Sequence, residues 1–185
     1  METFPVIEPL NNAYCDRIAG LILPIQQIEF NVPVTLEEQP DLLDIEMNYH
    51  RTGGGFWGAR QGVELVGTIG LIAIGHHAGT IRKMFVRKEF RGKEFGIAQR
   101  LLEKLIDHSK AHEITDLYLG TVDRLQAAVR FYERNGFVRI DKSELPESFP
   151  IMTVDNTFYH FHIASSPEYA PSADPASSQH TQFPK

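Results

Sequence analysis

Val86-Arg-Lys-Glu-Phe-Arg-Gly-Lys-Glu-Phe-Gly-Ile-Ala98 separates an apolar, strand-like run from a strongly amphipathic helical pattern. Such a junction is where a chain can hold a phosphate. The first N–H groups of a helix lack partners inside it, and the aligned peptide dipoles leave partial positive charge at that end. A pyrophosphate can therefore be bound largely by main chain. Gly92 and Gly96 permit close approach, while Arg91 and Lys93 supply cations, one as a planar fork and the other as a point charge.

Before this turn, Phe4 to Glu8 reads as a strand, and Asn11 or Asn12 caps a helix with Tyr14, Ile18, Leu21, Ile22 and Ile25 on one face. Pro24 is placed to kink or divide it. A second helix is predicted from about Asp41, after Pro40, carrying Leu42, Leu43, Ile45 and Met47 up to the break at Gly53-Gly54-Gly55. These two helices would form a lid over one end. Phe56 to Arg60, Val63 to Ile74 and Gly79 to Arg87 then read as an antiparallel meander, turning at Gln61-Gly62 and at Gly75-His76-His77.

After the turn, the helix from Gly96 to His112 sets Ile97, Leu101, Leu102, Leu105 and Ile106 on a single stripe, as packing on a sheet requires. Leu117 to Thr121 is a short buried strand. Asp123 with Gln126 resembles a capping box opening a helix to about Arg134, with Leu125, Ala128, Val129 and Tyr132 on one face and Asn135-Gly136 ending it. Phe137 to Ile140 and Thr157 to Ile163 complete the strands, bridged through Leu145 to Pro150.

Composition narrows the function. With 42% apolar and 23% charged residues in 185, one main domain is expected, and a formal charge of −6 argues against nucleic acid as the principal partner. The N-terminus lacks the features of a signal peptide and no apolar run is long enough to span a bilayer, so a soluble, cytoplasmic protein with no membrane partner is expected. Cys15 is alone, cannot form an intrachain disulfide, and falls in an apolar helical pattern suited to packing. From residue 164 to 185, thirteen of 22 residues are Ala, Ser or Pro, which reads as a flexible tail after a domain of residues 1–163.

With strand before and helix after, the turn resembles the pyrophosphate-binding segment of the GNAT superfamily of acyl-CoA-dependent N-acyltransferases. That pattern is Gln or Arg, two residues, Gly, one residue, then Gly or Ala. Arg91 and Gly96 fit it, whereas Glu94 stands at the first glycine, where its carboxylate must point away from the phosphates. W-G-A-R-Q-G-V-E-L-V-G-T-I-G-L from Trp57 to Leu71 is similar to the superfamily's central hairpin, and F-Y-E-R-N-G-F from Phe131 to Phe137 to its second signature. The order of elements agrees over about residues 4 to 163.

The resemblance implies an α+β fold of three α/β layers: a mixed, mostly antiparallel central sheet of about seven strands flanked by about four helices. It implies acetyl-CoA as cosubstrate and no metal. The cofactor's phosphates would be held by Arg91, Gly92, Lys93, Glu94, Phe95, Gly96, Ile97 and Ala98, and its thioester arm by the main chain of Met84, Phe85 and Val86, on a strand splayed from its neighbour. An amide near Phe85 would face the thioester carbonyl, and Tyr132 matches the tyrosine that protonates the departing thiolate.

The activity implied is acetyl transfer to a primary amine of a small molecule, with a peptide or protein amine second, by direct attack in a ternary complex; a homodimer is allowed. The alternative is an acyl-CoA-binding regulatory module without transfer. Between Ile18 and His50 there is no Lys or Arg, but there are six carboxylates: Glu29, Glu37, Glu38, Asp41, Asp44 and Glu46. They read mainly as a solvated face with caps, although their potential could draw a cationic amine to the lid. No single general base emerges. His160 and His162 share a strand face without a third ligand nearby, so no metal site is assigned.

Overall fold

The computed structural model describes residues 4–164, so the Ala/Ser/Pro tail, apart from Ala164, lies outside the described residues. Seven strands form one sheet: Val6–Pro9 (β1), Gly55–Gln61 (β2), Glu64–Gly75 (β3), Ala78–Val86 (β4), Asp116–Thr121 (β5), Val138–Ile140 (β6) and Thr157–His162 (β7). Their spatial order is β1-β2-β3-β4-β5-β7-β6, antiparallel everywhere except between β4 and β5. Four α-helices flank it: Cys15–Pro24 (α1), Ile45–Asn48 (α2), Ile97–Ala111 (α3) and Gln126–Arg134 (α4). The expected three-layer α+β architecture is present.

Two apolar clusters hold the layers together. On one face, Ile97, Leu101, Leu102 and Leu105 of α3 meet Ile69, Leu71 and Ile81 of the meander and Leu117 and Leu119 of β5, with Phe131 and Tyr132 added from α4. Each such aliphatic side chain contributes roughly 1.5–3 kcal/mol on burial. That stripe fixes α3, and with it the turn at its N-terminus. On the other face, Ile18, Leu21 and Ile22 of α1 pack with Leu42, Ile45, Tyr49 and Phe56. Gly70 is required between them, because a Cβ there would stand 2.6 Å from the Tyr49 ring.

Two local expectations change, for the second helix and for the capping box at Asp123, and that for Pro24 is met. The second helix is broken into a turn at Pro40–Leu42, the four-residue α2 and a turn at His50–Thr52, leaving Leu43 and Met47 exposed. Asp44 explains the break: its carboxylate accepts from the Met47 N–H at 2.9 Å and starts a new helix where the old one would have continued. Pro24 divides the first helix, which carries on as a wider turn over Ile25–Glu29. Asp123 forms no capping box with Gln126; it exchanges hydrogen bonds with Asn156 at 2.9 and 3.1 Å, tying the start of α4 to the loop before β7.

The feature that positions a site is the short seam between β4 and β5. They pair over only Ala78 to Thr80 against Asp116 to Tyr118, then part. The cause lies in β4 itself. Its register against β3 shifts between Arg82 and Phe85, leaving Lys83 and Met84 opposite one residue, and Lys83 adopts φ 54°. An extra residue of this kind bends and twists its strand. Buried hydrogen bonds retain the strained backbone: Thr68 Oγ1 donates to the Lys83 carbonyl at 2.7 Å, and Lys83 Nζ donates to Gln39 Oε1 at 2.5 Å.

Candidate active site

The parting of β4 from β5 opens a cleft between the two strands. Its β4 wall is Arg82 to Phe85; Ala128 and Tyr132 of α4, with Leu125 just before it, enter from one side. The segment after α1, through Phe30, Val34 and Gln39, covers another, and Phe149 to Asp155 closes the end beside Gly120. The lid expected from the first helical region is therefore supplied mainly by the irregular stretch between α1 and α2.

The main chain of β4 faces both ways. The Arg87 N–H donates to the Val66 carbonyl at 2.8 Å, so by alternation the Phe85 peptide groups turn toward β3 and those of Val86 away from it. The Val86 carbonyl accordingly accepts from Arg91 Nε at 2.8 Å. Its amide points into the opening. Of the three residues expected to hold the thioester arm, Val86 thus turns its main chain away from β3, Met84 sends its side chain to Tyr132 of α4, and Phe85 lines the cleft.

Tyr132 crosses the opening. Its hydroxyl donates to Met84 Sδ at 3.1 Å, and its ring packs edge-on against Phe131 and Phe137. Burial pushes its phenol well above the ordinary value, so it remains a proton donor throughout the physiological range. A thioether is a weak acceptor, and the hydroxyl is readily transferred to a better one.

At the turn between β4 and α3, Gly92 and Gly96 have φ of 106° and 56°, backbone states that side chains resist. Gly96 is the residue at which α3 begins, and no side chain caps that end. The N–H groups of Ile97 and Ala98 are directed outward by helix geometry, while the Ile97 side chain is buried in the core. Glu94 is exposed and has no left-handed backbone, which is why a side chain is tolerated at that glycine position. Lys93 is also exposed. Phe95 packs at a tilt against Phe90, with ring centres 5.4 Å apart, and edge-on against Phe4 at 6.1 Å, anchoring the turn. Arg91 is engaged: both guanidinium ends bond Glu29, at 2.8 Å for Nη2, and hold the Glu29 carboxyl below the usual range.

The acidic lid is largely committed to structure. Glu29 pairs with Arg91, Glu38 accepts from the Thr35 N–H at 2.8 Å, and Asp44 caps α2. Asp41 is buried, accepting from the Tyr49 hydroxyl at 2.5 Å and lying 3.6 Å from Lys83 Nζ. Burial pulls the Lys83 ammonium down to about 8, against the attraction of Asp41. At the far end of the sheet, His160 Nε2 and His162 Nδ1 both approach Asp116 Oδ1, at 2.7 and 3.1 Å. Among the described residues no group of three His, Cys, Asp or Glu side chains is arranged to hold a metal ion, the two imidazoles each being hydrogen-bonded to Asp116 instead, and no helix is long and apolar enough to cross a membrane.

The carboxylate that does face the cleft is Asp155. Burial pushes it up to about 6, with Arg82 and Lys83 acting in the opposite direction. It lies against Gly120 of β5, where any Cβ would collide with it. Sequence reasoning missed Asp155 because it sits in an irregular loop with no motif around it. The available signal was indirect: Arg82 and Lys83 are two cations in an otherwise apolar strand, and such cations need a partner.

Comparison with known proteins agrees with this geometry. The family model described as Acetyltransferase (GNAT) family matches residues 21–137. The crystal structure of a GNAT-family acetyltransferase from Staphylococcus aureus Mu50 is 40% identical, with a TM-score of 0.83, covering 86% of this chain and 99% of that one. That of PaiA N-acetyltransferase from Thermoplasma acidophilum, solved with coenzyme A, has a TM-score of 0.67 at 16% identity over 86% of this chain and 99% of that one, a likeness of fold alone. N-acetyltransferase 8 of Rattus norvegicus is 30% identical over 129 residues, 65% of this chain and 55% of its own. The chain spans about half the length of the curated relatives it matches. A family model covering more than half the sequence, a full-length structural relative and the opened sheet all agree: the chain belongs to the GNAT family of acetyltransferases.

Proposed function

We propose that this protein transfers an acetyl group from acetyl-CoA to a primary amine by direct attack in a ternary complex. The observation that carries the reading is the opening between β4 and β5 with the Tyr132 hydroxyl reaching across it. The peptide-like pantetheine arm would lie along β4, completing the ladder that β5 abandons after Thr80, with the Val86 peptide as a partner. The pyrophosphate would rest on the amides of Gly96, Ile97 and Ala98, drawing Arg91 from Glu29 and adding Lys93. Coenzyme A in the Thermoplasma relative accords with this cofactor.

The chemistry then needs three groups. The amine must lose a proton before it attacks, because an alkylammonium has no free electron pair, and Asp155 is the cleft carboxylate able to accept it. As nitrogen bonds to the carbonyl carbon, the oxyanion is stabilised by a main-chain amide of the Met84 to Val86 stretch, an interaction worth about 3 kcal/mol where a comparable donor is lost. Collapse breaks the C–S bond, the nitrogen sheds its second proton to solvent, and Tyr132 delivers its own proton to the thiolate, regaining one from solvent afterwards. Cys15 lies in the first turn of α1, among the residues packed on the opposite cluster, so no acyl-enzyme is invoked.

Mixing purified protein with acetyl-CoA and a panel of primary amines while free thiol is followed tests the reading. Amine-dependent thiol release above background is the expected outcome. Cofactor binding without any release would leave a binding module.

A further inference from the structure

Two opposite charges face the same cleft and do not pair with each other. Arg82 stands on β4 immediately before the bulge. Among the described residues its guanidinium has no carboxylate within ion-pair distance, and its side-chain contact is the Met152 thioether, at 3.1 Å from Nη2. Sulfur is a poor acceptor for a fork of five N–H donors shaped to take two oxygens at once. Asp155, three residues after Met152 and joined to it by a turn at 3.1 Å, makes no side-chain hydrogen bond among the described residues. Continuing the register Thr80 to Tyr118 places Gly120, against which Asp155 lies, opposite Arg82 across the gap.

The other cation of the cleft is committed elsewhere. Lys83 bonds Gln39, lies beside Asp41, and is buried. The remaining end of the cleft is apolar, with Phe30, Val32, Val34, Phe149 and Val154 on its walls.

We propose, resting on the transferase reading above, that the acceptor is an α-amino acid with an apolar side chain, its carboxylate received by the Arg82 guanidinium and its ammonium by Asp155. A zwitterion between these two groups satisfies both at once. It also delivers the nitrogen beside the carboxylate that takes its proton. A simple alkylamine would leave Arg82 facing only sulfur, and a peptide N-terminus would bring an amide where the fork is built for a carboxylate.

The test compares L-leucine with L-leucinamide and 3-methylbutylamine, which lack the carboxylate in different ways. Binding is read by calorimetry in the presence of coenzyme A, and transfer by thiol release from acetyl-CoA. Expected is at least about a tenfold preference for leucine in affinity and in kcat/KM, falling to within about twofold in Arg82→Gln. Wild-type enzyme that takes leucinamide or 3-methylbutylamine as well as leucine overturns the inference, as does a preference that survives in Arg82→Gln. Arg82→Lys, which keeps the charge and bulk, guards against misfolding and should retain part of the preference. Carboxylate-dependent binding without thiol release from any of the three would uphold the acceptor site and sink the transferase reading instead.

Discussion

The Tyr132 hydroxyl meets the Met84 thioether at 3.1 Å, so a phenol rooted in the core of α4 touches the strand along which the thioester is proposed to lie. Its role is separable from packing. Tyr132→Phe keeps the ring against Phe131 and Phe137 and should change stability by less than about 1 kcal/mol, since the lost bond is to a weak acceptor. Turnover should fall by about 100-fold or more with little change in KM. Thermal melts beside steady-state thiol release check both halves.

Asp155 gives the expected pH dependence. A carboxylate titrating at about 6 can accept a proton only above that point, so kcat/KM should decline as pH falls through 6. Asp155→Asn should lose that limb along with most of the rate. Its stability moves oppositely. The native carboxyl binds its proton more tightly than the unfolded one, so native protein is favoured below about pH 4 and that advantage is lost as pH rises through 6. The Asn variant should accordingly melt higher at neutral pH, by up to about 3 kcal/mol of stability.

In the proposed complex Glu29 and the cofactor compete for Arg91. Releasing the guanidinium with Glu29→Gln should lower the KM for acetyl-CoA a few-fold, whereas Arg91→Gln should raise it by about tenfold, the loss of one charge-assisted contact. The pair is partly exposed, so the first effect should shrink in high salt. Equal KM values in the two variants would remove Arg91 from phosphate binding.

Beneath the cleft, Asp41 serves both Tyr49 and Lys83. Asp41→Asn leaves a buried ammonium without its counter-charge and should destabilise by about 2–4 kcal/mol, visible in denaturant midpoints. Lys83 itself titrates at about 8 when folded and 10.5 in its ordinary state, so the unfolded chain holds more protons between those values. Stability should therefore rise with pH across that window in wild type relative to Lys83→Met.

The helices and strands were legible where one period dominated. The α3 stripe from Ile97 to Ile106 and the meander expected over Phe56 to Arg87 are both present, each strand end within about one residue of its expected place, because burial on one face is written directly into residue spacing. The second helix was not, because Asp41 and Asp44 look alike in sequence. Only the fold shows one carboxylate drawn inward to Lys83 and the other capping α2. Local pattern singles out Arg91 and Tyr132 as candidates, but Glu29, which engages Arg91, lies 62 residues away. Asp155 and Arg82 come together only through tertiary structure, across a gap that no local motif records.

Three residue pairs are all that stitch β4 to β5. The molecule is thus two leaves on a narrow spine, and whatever lies in the opening is a splint as much as a reactant. Filling that space should tighten the whole sheet. Amide protons on β4 beyond Thr80 that turn away from β3 should exchange more slowly, together with those of β5, once coenzyme A is bound.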